Sequence, residues 1–181
     1  MQKKLIILRG LPFCGKSYTA KELASKNTDA IILSTDEYWY KINKPDKPEE
    51  YSFSPRFLGD AHNWNQQRAH RLIEQGSPYL IIDNTNTTAK EFCCDYLRYA
   101  HFQDYEIEIR EPSSPQWLEI EKLLYNKRDN KKALKDWSHK LAEGSKGIHD
   151  VPFFAIERMI WRWEVDLTPE KVLADCLNSH N

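Results

Sequence analysis

The sequence predicts an α/β fold, a doubly wound and mostly parallel sheet with helices on both faces. Three observations predict it. Short aliphatic runs alternate with longer helical patterns along the whole chain, the spacing of strand–helix–strand units rather than of hairpins. The first run, Leu5-Ile6-Ile7-Leu8, is continuous instead of alternating, as expected of a strand covered on both sides. It leads at once into Gly10-Leu11-Pro12-Phe13-Cys14-Gly15-Lys16-Ser17 and a helical pattern from Tyr18 to Lys26. Strand, G-x-x-x-x-G-K-S, helix is the order of a phosphate-binding P-loop. The length of 181 residues supports one core, so residues 1–181 are expected to form one domain.

Each element has its own grounds. The glycines let successive loop N–H groups converge on one concavity, at a helix start that already favours anions. Lys16 is placed to reach the β- and γ-phosphates, and the Ser17 hydroxyl to ligate Mg²⁺. Gly10, Leu11, Pro12, Phe13, Cys14, Gly15, Lys16, Ser17 and Tyr18 are therefore the expected ATP-binding residues. The alternative is a glycine-containing turn that matches by accident. Cys14, beside the helix start, is a candidate redox-sensitive thiol, because that position lowers a thiol pKa.

The second strand, Ala30 to Leu33, ends in Ser34-Thr35-Asp36, a carboxylate at the strand end where open α/β sheets bind ligands. Asp36 is the expected base for a substrate hydroxyl, or else a cap on the following helix. Tyr38-Trp39-Tyr40 and a polar surface loop, Asn43 to Ser54, come next. A helix is expected from Pro55 to Gln75, with Ser54 as N-cap and Gly76 as stop. His62, Asn65 and Arg68 share one of its stripes, either solvated surface or the lining of an acceptor channel, while Trp64 and Ala69 pack.

The third strand, Tyr79-Leu80-Ile81-Ile82-Asp83, is aliphatic and ends in Asp, the Walker-B pattern whose carboxylate meets Mg²⁺ or its water shell. Thr88 and Glu91 form a capping box for a helix from Ala89 to His101. Tyr105 to Arg110 alternates and reads as a half-exposed strand nearer the sheet edge than the first three. A helix from Trp117 to Tyr125 follows, and then the composition turns basic. From Lys127 to Lys146 the charges are Lys127, Arg128, Lys131, Lys132, Lys135, Lys140 and Lys146 against Asp129, Asp136 and Glu143. This is either a solvated helical face or a lid, about 126–150, that closes over the phosphates. Arg128 stands first in it, placed to meet charge on a transferring phosphoryl group. Pro152 opens a helix through Glu164, and Thr168-Pro169 starts a short last one.

Composition excludes several classes. A net charge of −1 provides no global field for nucleic acid or an anionic membrane, so an anionic substrate must be held locally. The cysteines Cys14, Cys93, Cys94 and Cys176 lack C-x-x-C spacing, and the chain reads as reduced and cytoplasmic. The apolar run before Arg9 is too short for a signal peptide, and no run approaches a membrane span.

Several motifs occur in order: Gly10-Leu11-Pro12-x-x-Gly15-Lys16-Ser17, Ser34-Thr35-Asp36, Tyr51-x-Phe53, Ala61-His62-x-Trp64-Asn65-Gln66-x-Arg68-Ala69, Ile81-Ile82-Asp83-Asn84-Thr85-Asn86 and Arg158-Met159-x-x-Arg162-Trp163-Glu164. Together they resemble the P-loop domain of the Nedd-four-binding-protein-two-like group, within the wider polynucleotide-kinase-like AAA family. The resemblance spans Leu5 to about Glu164. It implies a nucleotide-kinase-like fold and ATP-dependent phosphorylation of a 5′-hydroxyl on a nucleic-acid end, RNA or DNA. It also implies that Asp36 is the base, that Lys16 and Ser17 serve nucleotide and metal, and that Arg128 is the lid cation.

Three positions depart from that pattern. Phe13 stands where the family usually has Gly. The family's nearly continuous Arg-Asn-x-His-Gly-Val-Pro is split here into Arg128-Asp129-Asn130 and His149-Asp150-Val151-Pro152, with residues 131–148 between. His149 is thus either a lid residue or a cap. Trp39 and Tyr40 occupy positions where phage-type polynucleotide kinases carry an acceptor-gripping Arg. With Phe13 they could stack an end base, or the acceptor could be a small molecule such as a nucleoside or sugar. A non-catalytic ATP-binding interaction module is the third reading.

Overall fold

The computed structural model describes residues 2–41 and 51–178; most of the expected loop from Asn43 to Ser54 lies outside them. The strands are β1 (Lys4–Leu8), β2 (Ala30–Leu33), β3 (Tyr79–Asp83) and β4 (Glu106–Arg110). They pair in parallel in the order β2-β3-β1-β4. β1 is central, with Leu8 level with Asp83 on one side and Arg110 on the other. β4 lies at an edge as expected. β2 lies at the opposite edge, which a short aliphatic run could not reveal, since three of its four residues are only half-buried.

Alternate side chains of these strands feed two layers. Ile6, Leu8 and Ile81 face α1 (Lys16–Ser25) through Ala20, Leu23 and Ala24. Leu5, Ile7, Leu33, Leu80 and Ile82 face the other way, against α3 (Leu58–Glu74), which comes after the short α2 (Glu37–Lys41), and against the segment 93–101 and α8 (Pro169–Asn178). Helices on both faces of an all-parallel sheet make it doubly wound. A second core joins α5 (Pro115–Leu124), α6 (Lys131–Gly144) and α7 (Phe153–Arg162) to the P-loop through Leu11 and Cys14. Ser114 caps α5 by accepting from the Trp117 N–H at 3.2 Å, a contact of about 1 kcal/mol.

Two helices differ from expectation. The long helix begins as a 3₁₀ turn, Pro55–Phe57, and Ser54 makes no side-chain cap. The expected helix from Ala89 to His101 is instead a 3₁₀ turn (Ala89–Glu91), a π-helical turn (Cys93–Leu97) and α4 (Arg98–His101). Glu91 reaches back to the Thr87 N–H and hydroxyl rather than capping through Thr88. The widened turn brings Phe92, Cys93, Tyr96 and Leu97 into the core together. It also overturns the expectation of a fully reduced chain. Cys93 and Cys176 are joined as a disulfide, 83 residues apart, a proximity that α8 creates and no sequence spacing encodes.

Candidate functional site

β1 and β3 are neighbours whose following helices lie on opposite faces, so their carboxyl ends border the crevice where open α/β sheets bind ligands. The P-loop leaves β1 there. Gly15 has φ +94°, a backbone region that glycine enters without strain. At Gly10 a Cβ would stand 3.0 Å from Lys16 Cγ and 3.1 Å from Pro112 Cδ, so the close approach requires glycine. α1 starts at Lys16, and the N–H groups of its first turn have no intrahelical acceptor. Lys16 Nζ donates to the Leu11 carbonyl at 3.0 Å. Leu11 is buried, whereas the Tyr18 side chain is 75 % exposed, so Tyr18 can serve the loop only through its backbone.

The ends of three strands converge here. The Ser17 hydroxyl hydrogen-bonds Asp83, and Lys16, Asp36 and His149 all act electrostatically on that carboxyl. Burial pushes the Asp83 pKa up, with Lys16 opposing, and its Oδ1 is buried without a hydrogen-bond partner among the described residues. An orphaned, desolvated carboxylate oxygen next to a hydroxyl is a donor set that suits a hard divalent cation. Mg²⁺ therefore fits Ser17 and Asp83.

Asp36 sits just past β2 with its side chain half-exposed. Its Oδ1 accepts from the Tyr51 hydroxyl at 3.3 Å, and His149 Nε2 lies 3.8 Å from its Oδ2. The two rings meet edge-on, 4.8 Å between centroids. The Thr35 N–H donates to Asn84 Oδ1 at 3.0 Å, tying the end of β2 to the turn after β3. Tyr51 and Asn84 stood in the motifs without a role, and only their place in the fold reveals one. His149 lies against Asp36 and Tyr51, and the N-cap of the helix that follows is Pro152.

Other expected residues fall elsewhere. Arg128 is exposed between α5 and α6 and forms no hydrogen bond or ion pair among the described residues. Its neighbour Lys127 donates to the Trp161 and Trp163 carbonyls. Cys14 is fully buried, and desolvation outweighs Lys16 and raises its pKa to about 12; the low-pKa redox thiol is corrected to an inert core residue. Trp39 is buried against Phe53 and is unavailable for base stacking. The polar stripe of α3 divides: Asn65 is buried and donates to the Tyr96 hydroxyl at 3.2 Å, Arg68 lies over Trp64 and pairs with Glu37 at 3.3 Å, and His62 is exposed.

One buried charge braces the surrounding loops. Arg9 Nε donates to the Asn86 carbonyl at 2.9 Å, and Nη2 to the Thr87 and Glu164 carbonyls at 3.1 and 2.8 Å. Nη1 pairs with Glu111 at 2.9 Å, and the guanidinium lies 4.3 Å over Trp163. Read as a strand end, Arg9 gave no sign of this.

A parallel sheet with a glycine-rich loop at its switch point, a lysine and a hydroxyl at the helix start, and an Asp ending the adjacent strand define a P-loop nucleotide-binding domain. Residues 5–133 match the family described as AAA domain, and the chain belongs to that family. It is 42% identical over 110 residues to human NEDD4-binding protein 2. The match covers 61% of this chain and 6% of that protein, so the chain spans only a small part of its relative. A chain of the Pnkp1/Rnl/Hen1 RNA repair complex shares the fold with a TM-score of 0.54 at 18% identity, over 89% of this chain and 44% of that one. A chain of the PezAT chromosomal toxin–antitoxin system of Streptococcus pneumoniae aligns with a TM-score of 0.48 at 12% identity, over 98% and 87%. Among the described residues no helix is long and apolar enough to cross a membrane.

Proposed function

We propose that this chain is an ATP-dependent phosphotransferase, a polynucleotide 5′-hydroxyl kinase acting on RNA or DNA ends. The observation that carries the proposal is the half-exposed Asp36 carboxylate, held by Tyr51 and His149 in the same cluster as Lys16, Ser17 and Asp83. An ATPase needs only a positioned water, whereas a kinase needs a base for its acceptor. In this reading the P-loop N–H groups and Lys16 bind the triphosphate, and Ser17 and Asp83 hold Mg²⁺. Bound there, the cation supplies positive charge to the phosphate oxygens. Asp36 accepts the proton of the attacking hydroxyl as the bond to the γ-phosphorus forms and the bond to the ADP oxygen breaks. Tyr51 and His149 fix the orientation of its oxygens. Residues 126–150 act as the lid, with Arg128 as its cation once the lid closes. Likeness to a relative from an RNA repair complex supports the nucleic-acid acceptor.

Transfer of label from ATP to 5′-hydroxyl oligonucleotides tests the proposal. The wild type transfers, and Asp36→Asn lowers the rate about 10²–10⁴-fold, the usual weight of a general base. Transfer indifferent to Asp36→Asn overturns the assignment. The absence of an acceptor-gripping Arg at positions 39 and 40 favours a second reading, a small-molecule kinase. Phosphorylation of nucleosides or sugars but not of oligonucleotides identifies it. A wild type that transfers to neither is an ATP-binding interaction module.

A further inference from the structure

We propose that Cys93, Cys94 and Cys176, when reduced, form a binding site for a single thiolate-preferring cation of the Zn²⁺ or Cu⁺ class. The three sulfur atoms all lie within 4.8 Å of one another. They come from two elements, the π-helical turn and α8. Cys93 and Cys176 are nearly fully buried, while Cys94 is half-buried, so the cluster has a closed apolar side and one open side. Cys94 Sγ stands 3.0 Å from Cys176 Sγ, although a disulfide needs only the Cys93–Cys176 pair.

The donor set selects the ion. No carboxylate or imidazole belongs to the group, which disfavours hard cations; soft thiolates select Zn²⁺ and Cu⁺. The widened helical turn allows adjacent residues to contribute: Cys93 Sγ lies 3.6 Å from the Val172 carbonyl oxygen on α8, and Cys94 meets Cys176 one turn further along that helix. With the disulfide opened, three thiolates from two elements stand within 4.8 Å of one another, within reach of one ion.

Occupation requires the disulfide to open. A dithiol reductant supplies two electrons and two protons, becomes a disulfide itself and leaves three thiols around one centre. Coordination then releases the protons of the binding thiols to solvent, so affinity rises with pH. A bound ion would fasten α8 to the 93–101 segment in place of the disulfide, and oxidation would expel it. The site stands apart from the P-loop and does not rest on the proposed kinase activity.

The test uses the full chain, reduced with a thiol-free phosphine and stripped of metal under argon. Zn²⁺ and Cu⁺ are titrated separately against chromophoric chelators, and Co²⁺ reports thiolate ligation through its charge-transfer absorption. The expected result is one equivalent per chain with the charge-transfer band, and binding about 100-fold weaker or more in Cys94→Ser, since even outer-shell changes cost 10–100-fold. Cys94→Ser keeps the Cys93–Cys176 pair and so reads out ligation even if Cys176→Ser fails to fold. The absence of the band, or affinity unchanged in Cys94→Ser, overturns the proposal.

Discussion

At Asp83 the needs of stability and of ligand binding oppose each other. Its carboxyl is buried, burial raises its pKa above the ordinary carboxylate value, and one oxygen is unpartnered among the described residues. The folded state holds that proton more tightly than the unfolded state, so stability falls as pH rises from the unfolded pKa through the folded one. Asp83→Asn is expected to raise the melting temperature of the metal-free protein by about 2–4 °C, for about 1 kcal/mol relieved, while abolishing Mg²⁺-dependent label transfer. A lower melting temperature would show that the charge is compensated. Arg9 shows the reverse balance: its charge is buried but fully partnered. Arg9→Ala should cost about 3–5 kcal/mol in denaturant unfolding. Arg9→Lys should recover little of that, because a single ammonium cannot reach all four acceptors. Such burial lies beyond sequence reading: Gly15, Lys16, Ser17, Asp36 and Asp83 are named by motif and strand end, whereas Tyr51, Asn84 and Arg9 acquire their roles only from contacts across the fold.

At the scale of elements, the α6 region distinguishes this chain. Phe13, at φ 61°, projects its ring onto Gly144 at the end of α6, where an added Cβ would stand 2.3 Å from the ring. The residues that follow carry His149 to Asp36. A loop residue that departs from the family pattern therefore connects the P-loop to the inserted helix. Phe13→Gly should relieve the left-handed strain and leave ATP affinity within about threefold, while amide exchange in residues 136–149 accelerates. Unchanged exchange would show that the ring contributes nothing to holding α6. The segment from Ala89 shows why periodicity alone misleads. Its apolar positions suit an α-helix, but the same four positions also share one side of a π-helical turn, so the spacing does not tell the two apart. The strands were legible because aliphatic runs have few alternatives; the caps were not, because Thr87 and Thr88 offer equivalent hydroxyls one residue apart.

For the whole molecule, the layered order of the chain was readable and the lateral order of the strands was not. Alternation of runs specifies strand–helix–strand units, and right-handed crossovers restrict their sense, but neither places β2 at an edge. A working nucleotide site makes a global prediction. At Mg·ATP concentrations 100-fold above Kd the native state gains about 2.7 kcal/mol, or about 5–10 °C in melting temperature for a chain of this size. Lys16→Ala should lose that shift, and a Lys16→Ala protein that still shifts fully would move the nucleotide site elsewhere. The Arg9 contacts carry a last consequence. One planar cation fastens the turn after β3, the turn after β4 and the tail of α7, so these three crossings meet at a keystone. The rim of the crevice cannot be transplanted piecemeal onto a cousin scaffold. A chimera that swaps any one of these arcs must import the others.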